Sequence, residues 1–194
     1  MDEKEVGMVH ELGGNVEQFA GEAVREQVMA GSETIDTSTD AAQVAMWTRG
    51  AIERLDALVD EPTRIRIMQA CGTKCASVNT SFAEAATARR KKCKSLDEFL
   101  EAEIESPITG TRLEREGDVL YQYYTPQLFT PPMRCYCALL YGLPADETVS
   151  PTYCHCSKAF VRRFWETVLG RPVEVEVVYS AMTGHDECKF AIRM

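Results

Sequence analysis

No run of this sequence is long and apolar enough to cross a bilayer, which takes about 20 consecutive apolar residues. Basic residues are scarce: 21 Lys and Arg stand against 30 Asp and Glu, a formal net charge of −9. That excludes the basic surface a nucleic-acid binder needs to displace phosphate counterions. The opening Met1-Asp2-Glu3-Lys4-Glu5 is acidic, with no basic segment ahead of an apolar one, so no secretory signal is expected. Internal repeats and low-complexity stretches are also missing. An apolar fraction of 45% excludes disorder as a description of the whole chain. The expectation is a cytoplasmic protein of 194 residues with one core, or one core and a helical annex.

Against these absences stand eight cysteines. In a reducing compartment, thiols read as ligands, catalytic groups or packing before they read as disulfides. Here they are grouped. Cys71 and Cys75 form a Cys-x3-Cys pair, Cys135/Cys137 and Cys154/Cys156 are two Cys-x-Cys pairs, and Cys93 and Cys188 stand alone. The spacing does not match the ferredoxin run, which favours zinc over an iron–sulfur cluster, although cluster ligands can also converge from distant segments.

Residues 1–106 read as helical. Apolar residues at helical spacing predict a helix over Asn15–Met29, stopped by Gly31. Thr39-Asp40 predicts a cap for a helix carrying Val44, Trp47, Ala51, Leu55 and Leu58. Asp60 and Pro62 open another, which holds Met68, Cys71 and Cys75. Ser81-x-x-Glu84 and Ser95-x-x-Glu98 both match the capping box, in which side chains satisfy the free amides of a first turn. The second of these helices closes before Pro107.

Residues 107–194 change period. Arg112–Glu116 and Val119–Tyr124 flank Gly117-Asp118, a two-residue hairpin turn. Met133–Leu140 reads as a strand. Ser157–Leu169 is an amphipathic helix ended by Gly170 and Pro172. Val173, Val175, Val177 and Tyr179 alternate with Glu174 and Glu176 in one strand, and Cys188, Phe190 and Ile192 alternate with Lys189 and Arg193 in the last. The predicted fold class is α+β: N-terminal helices, then a mostly antiparallel sheet with one inserted helix, in one compact unit.

In a strand, Cys135 and Cys137 would share a face, their Cα atoms about 6.8 Å apart. The bend needed to bring both onto one ion is assigned to Pro131-Pro132. Cys154 and Cys156 sit where a loop becomes a helix, a place that favours thiolates. The four together make a candidate tetrahedral zinc site, with packing as the alternative and His155 as a substitute ligand. Cys71 and Cys75 share a helical face with Met68, so ligand and core readings stay level. Cys93, after Arg89-Arg90-Lys91-Lys92, lies at a helix end where cations complement the dipole. Tyr121, Tyr123 and Phe129 are candidates for an aromatic pocket, or for sheet–helix packing.

The C-terminal cadence carries a resemblance. Tyr153-Cys-His-Cys-Ser157 opens a helix, Trp165-Glu166 and Leu169-Gly-Arg-Pro-Val-Glu-Val-Glu176 lead into a strand, and Gly184, Cys188, Phe190 and Ile192 close the chain. This resembles the C-terminal half of the 4-vinyl reductase, or hydrocarbon-binding, superfamily. Its ending is also similar to that of the bacterial 2-amino-thiazoline-4-carboxylate hydrolase-like family. The resemblance implies a domain for a small apolar or aromatic molecule, often with bound zinc, and a pocket role for Cys188. The doubled Cys-x-Cys and the Cys71/Cys75 helix depart from that pattern.

Three functions follow as expectations. The first is a small-molecule-binding domain with a cysteine-held zinc. The second is a thiol- or metal-dependent hydrolase, with Cys154 or Cys156 attacking, His155 or His185 as base, and Asp186 or Glu187 orienting it. The third is a homo-oligomeric structural protein whose thiols are simply buried.

Overall fold

A computed structural model describes residues 3–130 and 133–194. The element order is six helices, a hairpin, a seventh helix and two strands. This is the α+β arrangement expected from the sequence.

The first helices differ from the expected Asn15–Met29. Helix α1 spans Glu3–Ala20 and α2 spans Glu22–Val28, broken at Gly21 with φ of 90°. That backbone is open to glycine and strained for other residues, so the chain turns there instead of continuing. Helix α3 (Ala41–Leu58) starts at Asp40, whose carboxylate accepts from the amides of Ala42 at 2.8 Å and Gln43 at 3.4 Å. Helix α4 (Glu61–Val78) starts at Asp60, which accepts from the Thr63 amide at 3.1 Å, with Pro62 in the first turn. Helix α5 (Ser81–Arg90) lacks the expected cap: Thr80 precedes it with a helical backbone and no side-chain bond, and Ser81 already lies inside. A capping side chain needs an extended residue to aim it, and none is present there. Helix α6 (Leu96–Glu105) has its cap, because Ser95 Oγ accepts from the Glu98 amide at 3.1 Å.

Strands β1 (Thr111–Glu116) and β2 (Val119–Tyr124) form the predicted hairpin through Gly117, φ 57°. Helix α7 (Cys154–Leu169) follows and ends at Gly170, φ 67°. Strands β3 (Glu174–Tyr179) and β4 (Cys188–Arg193) complete a sheet of order β1-β2-β4-β3, every pair antiparallel.

Met133–Leu140 is not a strand. It is irregular chain ending in a 3-10 turn, Ala138–Leu140. Its organiser is Arg134, whose guanidinium donates to the carbonyl oxygens of Pro144 at 3.2 Å, Ala181 at 2.9 Å, and Glu147. Those bonds gather the loop about one cation, and its apolar side chains drop into the helices instead of a sheet. Pro131 and Pro132 lie outside the described residues, and so does the bend assigned to them.

Two apolar cores result. The sheet core joins Leu120, Phe190 and Ile192 to Trp165 and Val161 of α7 and to Phe99 of α6. There the buried Trp165 Nε1 donates to the buried Gln122 Oε1 at 2.8 Å. The helical core joins α1, α3 and α4 to Leu139, Leu140 and Tyr153. These cores cut across residue 106: α6 serves the sheet, while the 139–153 chain serves the helices. Helix α7 separates them. It packs closely on α4 because Gly72 has no side chain; a Cβ there would collide with the Cys156 carbonyl oxygen.

Candidate functional site

Where α1, α4, the turn at Cys137 and the start of α7 meet, the helical core leaves a cavity of about 420 Å³. Leu12 of α1 and Met68 of α4 supply apolar wall, and Cys71, Cys75, Cys137 and Cys156 supply sulfur. Cys71 and Cys75 reach it together because four positions along a helix return to one face. Cys156 reaches it from the first turn of α7, which Gly72 allows to lie against α4.

Three of these sulfurs accept hydrogen bonds from neutral side chains. Asn15 Nδ2 donates to Cys71 Sγ at 3.3 Å, Asn79 Nδ2 to Cys75 Sγ at 3.4 Å, and the Tyr153 hydroxyl to Cys137 Sγ at 2.9 Å. Burial nevertheless dominates the acidities. It pushes the Cys71 thiol up to about 12, against the Asn15 bond and with help from Glu11. It pushes Cys137 up to about 11, against the Tyr153 bond. Cys156 is held well above the usual thiol range by burial first, then by the neighbouring sulfurs of Cys137, Cys71 and Cys75. At neutral pH these are protonated thiols, which are weak nucleophiles.

The other half of each Cys-x-Cys pair goes elsewhere. Cys154 Sγ and Ser180 Oγ share a hydrogen bond at 3.0 Å, and Cys188 Sγ donates to the same hydroxyl at 3.7 Å. Burial raises Cys154 to about 11, opposed by that Ser180 bond. Cys135 is raised by burial and then by Cys137, with Cys188 and Cys154 also close enough to act on it. Cys137 and Cys156 are therefore placed on the cavity and Cys154 on Ser180, while Cys135 Sγ accepts from the Cys137 amide at 3.5 Å. Among the described residues, no group of three or more His, Cys, Asp or Glu side chains could hold a metal ion. As placed, the four sulfurs do not form the tetrahedral set that zinc takes.

Tyr121 and Tyr123 face away from the cavity. The Lys189 ammonium lies over the Tyr121 ring at 4.0 Å and the Arg112 guanidinium over Tyr123 at 3.6 Å, on the sheet face opposite α7. Phe129 packs edge-on against Tyr136 at 5.7 Å, above Gly110. His185 stacks on Tyr179 at 4.8 Å, and Glu187 accepts from Arg112 and Tyr179. His155 is half-buried beside Cys154, Lys158 and Ser180 in a second cleft; burial, then Lys158, lowers its pKa. Cys154 thus meets a serine hydroxyl, not an imidazole. Cys93 Sγ donates to the Arg89 carbonyl at 3.5 Å and packs against the sheet core, outside the cavity lining.

Sequence reasoning missed Met8, Leu12, Asn15 and Tyr153 as site residues. The period of α1 before Asn15 is diluted by Gly7, Gly13 and Gly14, which hid its cavity-facing side. Tyr153 carried a signal, since it opens the Tyr-Cys-His-Cys segment.

No helix among the described residues is long and apolar enough to cross a membrane. No curated protein matches the chain. Among solved structures, an H-NOX protein from S. oneidensis in the Fe(II)NO ligation state aligns over 96% of this chain and 97% of its own, at 11% identity and a TM-score of 0.44. The phenol-responsive sensory domain of the transcription activator PoxR, with phenol, aligns over 80% of this chain and 74% of its own, at 15% identity and a TM-score of 0.40. Residues 8–194 match a family described as of unknown function, DUF6144, and the chain belongs to that family.

Proposed function

We propose that this protein is a ligand-binding domain that takes a small, mainly apolar molecule into the cavity between α1, α4 and α7. The observation that carries this is the cavity itself. An apolar void of about 150 Å³ is enough to hold benzene. The one here, at about 420 Å³, accommodates a substituted ring. Its lining is aliphatic and sulfur-rich, with Glu11, Lys74 and Asn79 as the polar groups that could orient a ligand. The C-terminal resemblance to the hydrocarbon-binding superfamily supports the same reading. Thiol-dependent hydrolysis gains no comparable support, because the thiols are protonated and Cys154 is bonded to Ser180.

Gly7 lines the cavity from α1, and a Cβ built there meets nothing within 4 Å. Gly7→Phe fills that space while removing a helix-weakening glycine. Toluene, phenol and naphthalene should each raise the melting temperature of the wild-type protein in a saturable way. The Gly7→Phe protein should fold and lose that response. If none of the three binds the wild type, or if Gly7→Phe binds them equally, the reading fails.

A further inference from the structure

Six of the fourteen residues lining the cavity carry sulfur: Met8, Met68, Cys71, Cys75, Cys137 and Cys156. The chain as a whole has eight cysteines and eight methionines among 194 residues, so sulfur is concentrated several-fold here. Core packing does not call for that concentration, since valine or leucine would fill the same wall. Nor does polar-ligand recognition, because thiols and thioethers are weak hydrogen-bonding groups.

From this wall we infer that the cavity holds a soft monovalent metal ion, of the copper(I) or silver(I) class, on Cys137 and Cys156 with Cys71 and Cys75 beside them. The inference rests on the reading of this cavity as the ligand site, and it names what the sulfurs contribute to it. Thiolate and thioether together select soft ions, and the methionines fit this preference where zinc would make no use of them. Zinc needs four ligands at tetrahedral corners, whereas a soft monovalent ion is satisfied by as few as two sulfurs. The absence of any three-ligand group among the described residues is compatible with such a site. Cys156 enters the cavity from the first turn of α7, on the same wall system as Cys137, Cys71 and Cys75.

The donors on the sulfurs fit the loaded state. In the free protein Asn15, Asn79 and Tyr153 already donate to the sulfurs of Cys71, Cys75 and Cys137. Once a sulfur becomes a thiolate, the same bonds spread its charge, as outer partners of metal ligands do. Two thiols lose their protons, two sulfur–metal bonds form, and the bis-thiolate ion carries one net negative charge. Two protons leave to solvent for each ion, and no electrons move. An ion on the wall occupies little of the cavity, so the space opposite, beside Gly7, remains for an organic molecule.

The test is an anaerobic titration of the full protein with silver(I), then copper(I), against a chromogenic chelator of known affinity. One tight equivalent and release of two protons are expected. Cys137→Ser with Cys156→Ser should weaken binding by at least tenfold, while Cys93→Ser should leave it unchanged. Alkylation mapped by mass spectrometry covers a variant that fails to fold: in the loaded wild type, Cys137 and Cys156 should be protected and Cys93 modified. Uptake that follows the total thiol count, or protection centred on Cys154 and Cys188, would overturn the inference. Separate readouts keep the two failures apart: toluene binding is read from the melting temperature of the metal-free protein, and metal uptake from the chelator. Toluene binding without specific metal uptake therefore sinks only the metal site.

Discussion

The sheet core and the larger helical core are both apolar and are finished differently. In the sheet core the one large polar edge, the Trp165 indole N–H, is answered at 2.8 Å by Gln122 Oε1, and both residues are buried. In the helical core an open space remains, lined by four thiols beside Glu11, Lys74 and Asn79, and Asn15, Asn79 and Tyr153 donate to three of those sulfurs. Closed packing maximises stability, and a lined void sacrifices some of it. A domain that keeps one tight core and one hollow core has separated the part that holds the fold from the part that can accept something.

The comparison is tested most severely by equal truncations on its two sides. Trp165→Ala removes a fully packed ring and strands Gln122. It should destabilise the protein by about 3–5 kcal/mol, as large-to-small changes in closed cores do. Cys71→Ala removes an atom that already borders empty space, so no new void forms, and the cost should be about 1 kcal/mol or less. Denaturant unfolding of both variants measures the difference. Similar losses would mean that the helical core is as closed as the sheet core.

Gly72→Ala probes the seam between the cores. The added methyl meets the Cys156 carbonyl, a backbone atom that cannot swing aside. Overpacking of this kind costs about 1–3 kcal/mol. Its particular consequence is that α7 must move off α4, which carries Cys156 away from Cys71 and Cys75. Gly72→Ala should therefore reduce cavity binding more than Cys71→Ala does, even at matched stability, as measured by toluene titration below both melting transitions.

Most of the fold was legible because its signals are local. Asp40, Asp60 and Ser95 cap the helices they precede, Gly117-Asp118 turns the hairpin, and β3 alternates as read through Val177, after which a bulge sets Tyr179 opposite Lys189 on the other face. The failures lie where distant partners decide. Met133–Leu140 has an alternating texture that imitates a strand, and Arg134 overrides it through carbonyls 10 to 47 residues away. The thiols were grouped by sequence neighbourhood, doublet with doublet. In space the second doublet divides, sending Cys156 to the cavity with Cys71, Cys75 and Cys137, and Cys154 to Ser180 with Cys188. Nothing in the spacing says which member faces which way, since that is fixed by α4 packing on α7 at Gly72. Tyr121 and Tyr123 were misplaced for a similar reason: the alternation of β2 assigns them one face, but only Lys189 and Arg112 show that it is the face away from α7.

The mildest way to separate the cores is by pH, because the effect vanishes at neutrality. A buried thiol whose folded pKa is raised stays protonated in the native state while the unfolded state, with thiols near about 8.5, loses its proton. Below about pH 8 both states are protonated and the thiols contribute no pH dependence. Above it the native state binds more protons than the unfolded one, so stability must fall as pH rises, continuing until Cys137 titrates near about 11 and Cys71 near about 12. In the sheet core the raised groups, Tyr124 and Cys188, pack at its edge beside Phe190 and not among the residues of α7 that fill it. Cys71→Ala combined with Cys137→Ala should therefore make the alkaline limb of a plot of melting temperature against pH shallower between about 8.5 and 11, the remaining slope coming from Cys135, Cys154, Cys156 and Cys188. Trp165→Phe should lower the whole curve and keep its slope. If the double variant keeps the wild-type slope, the cavity thiols titrate like exposed ones, and the hollow core is wet rather than apolar.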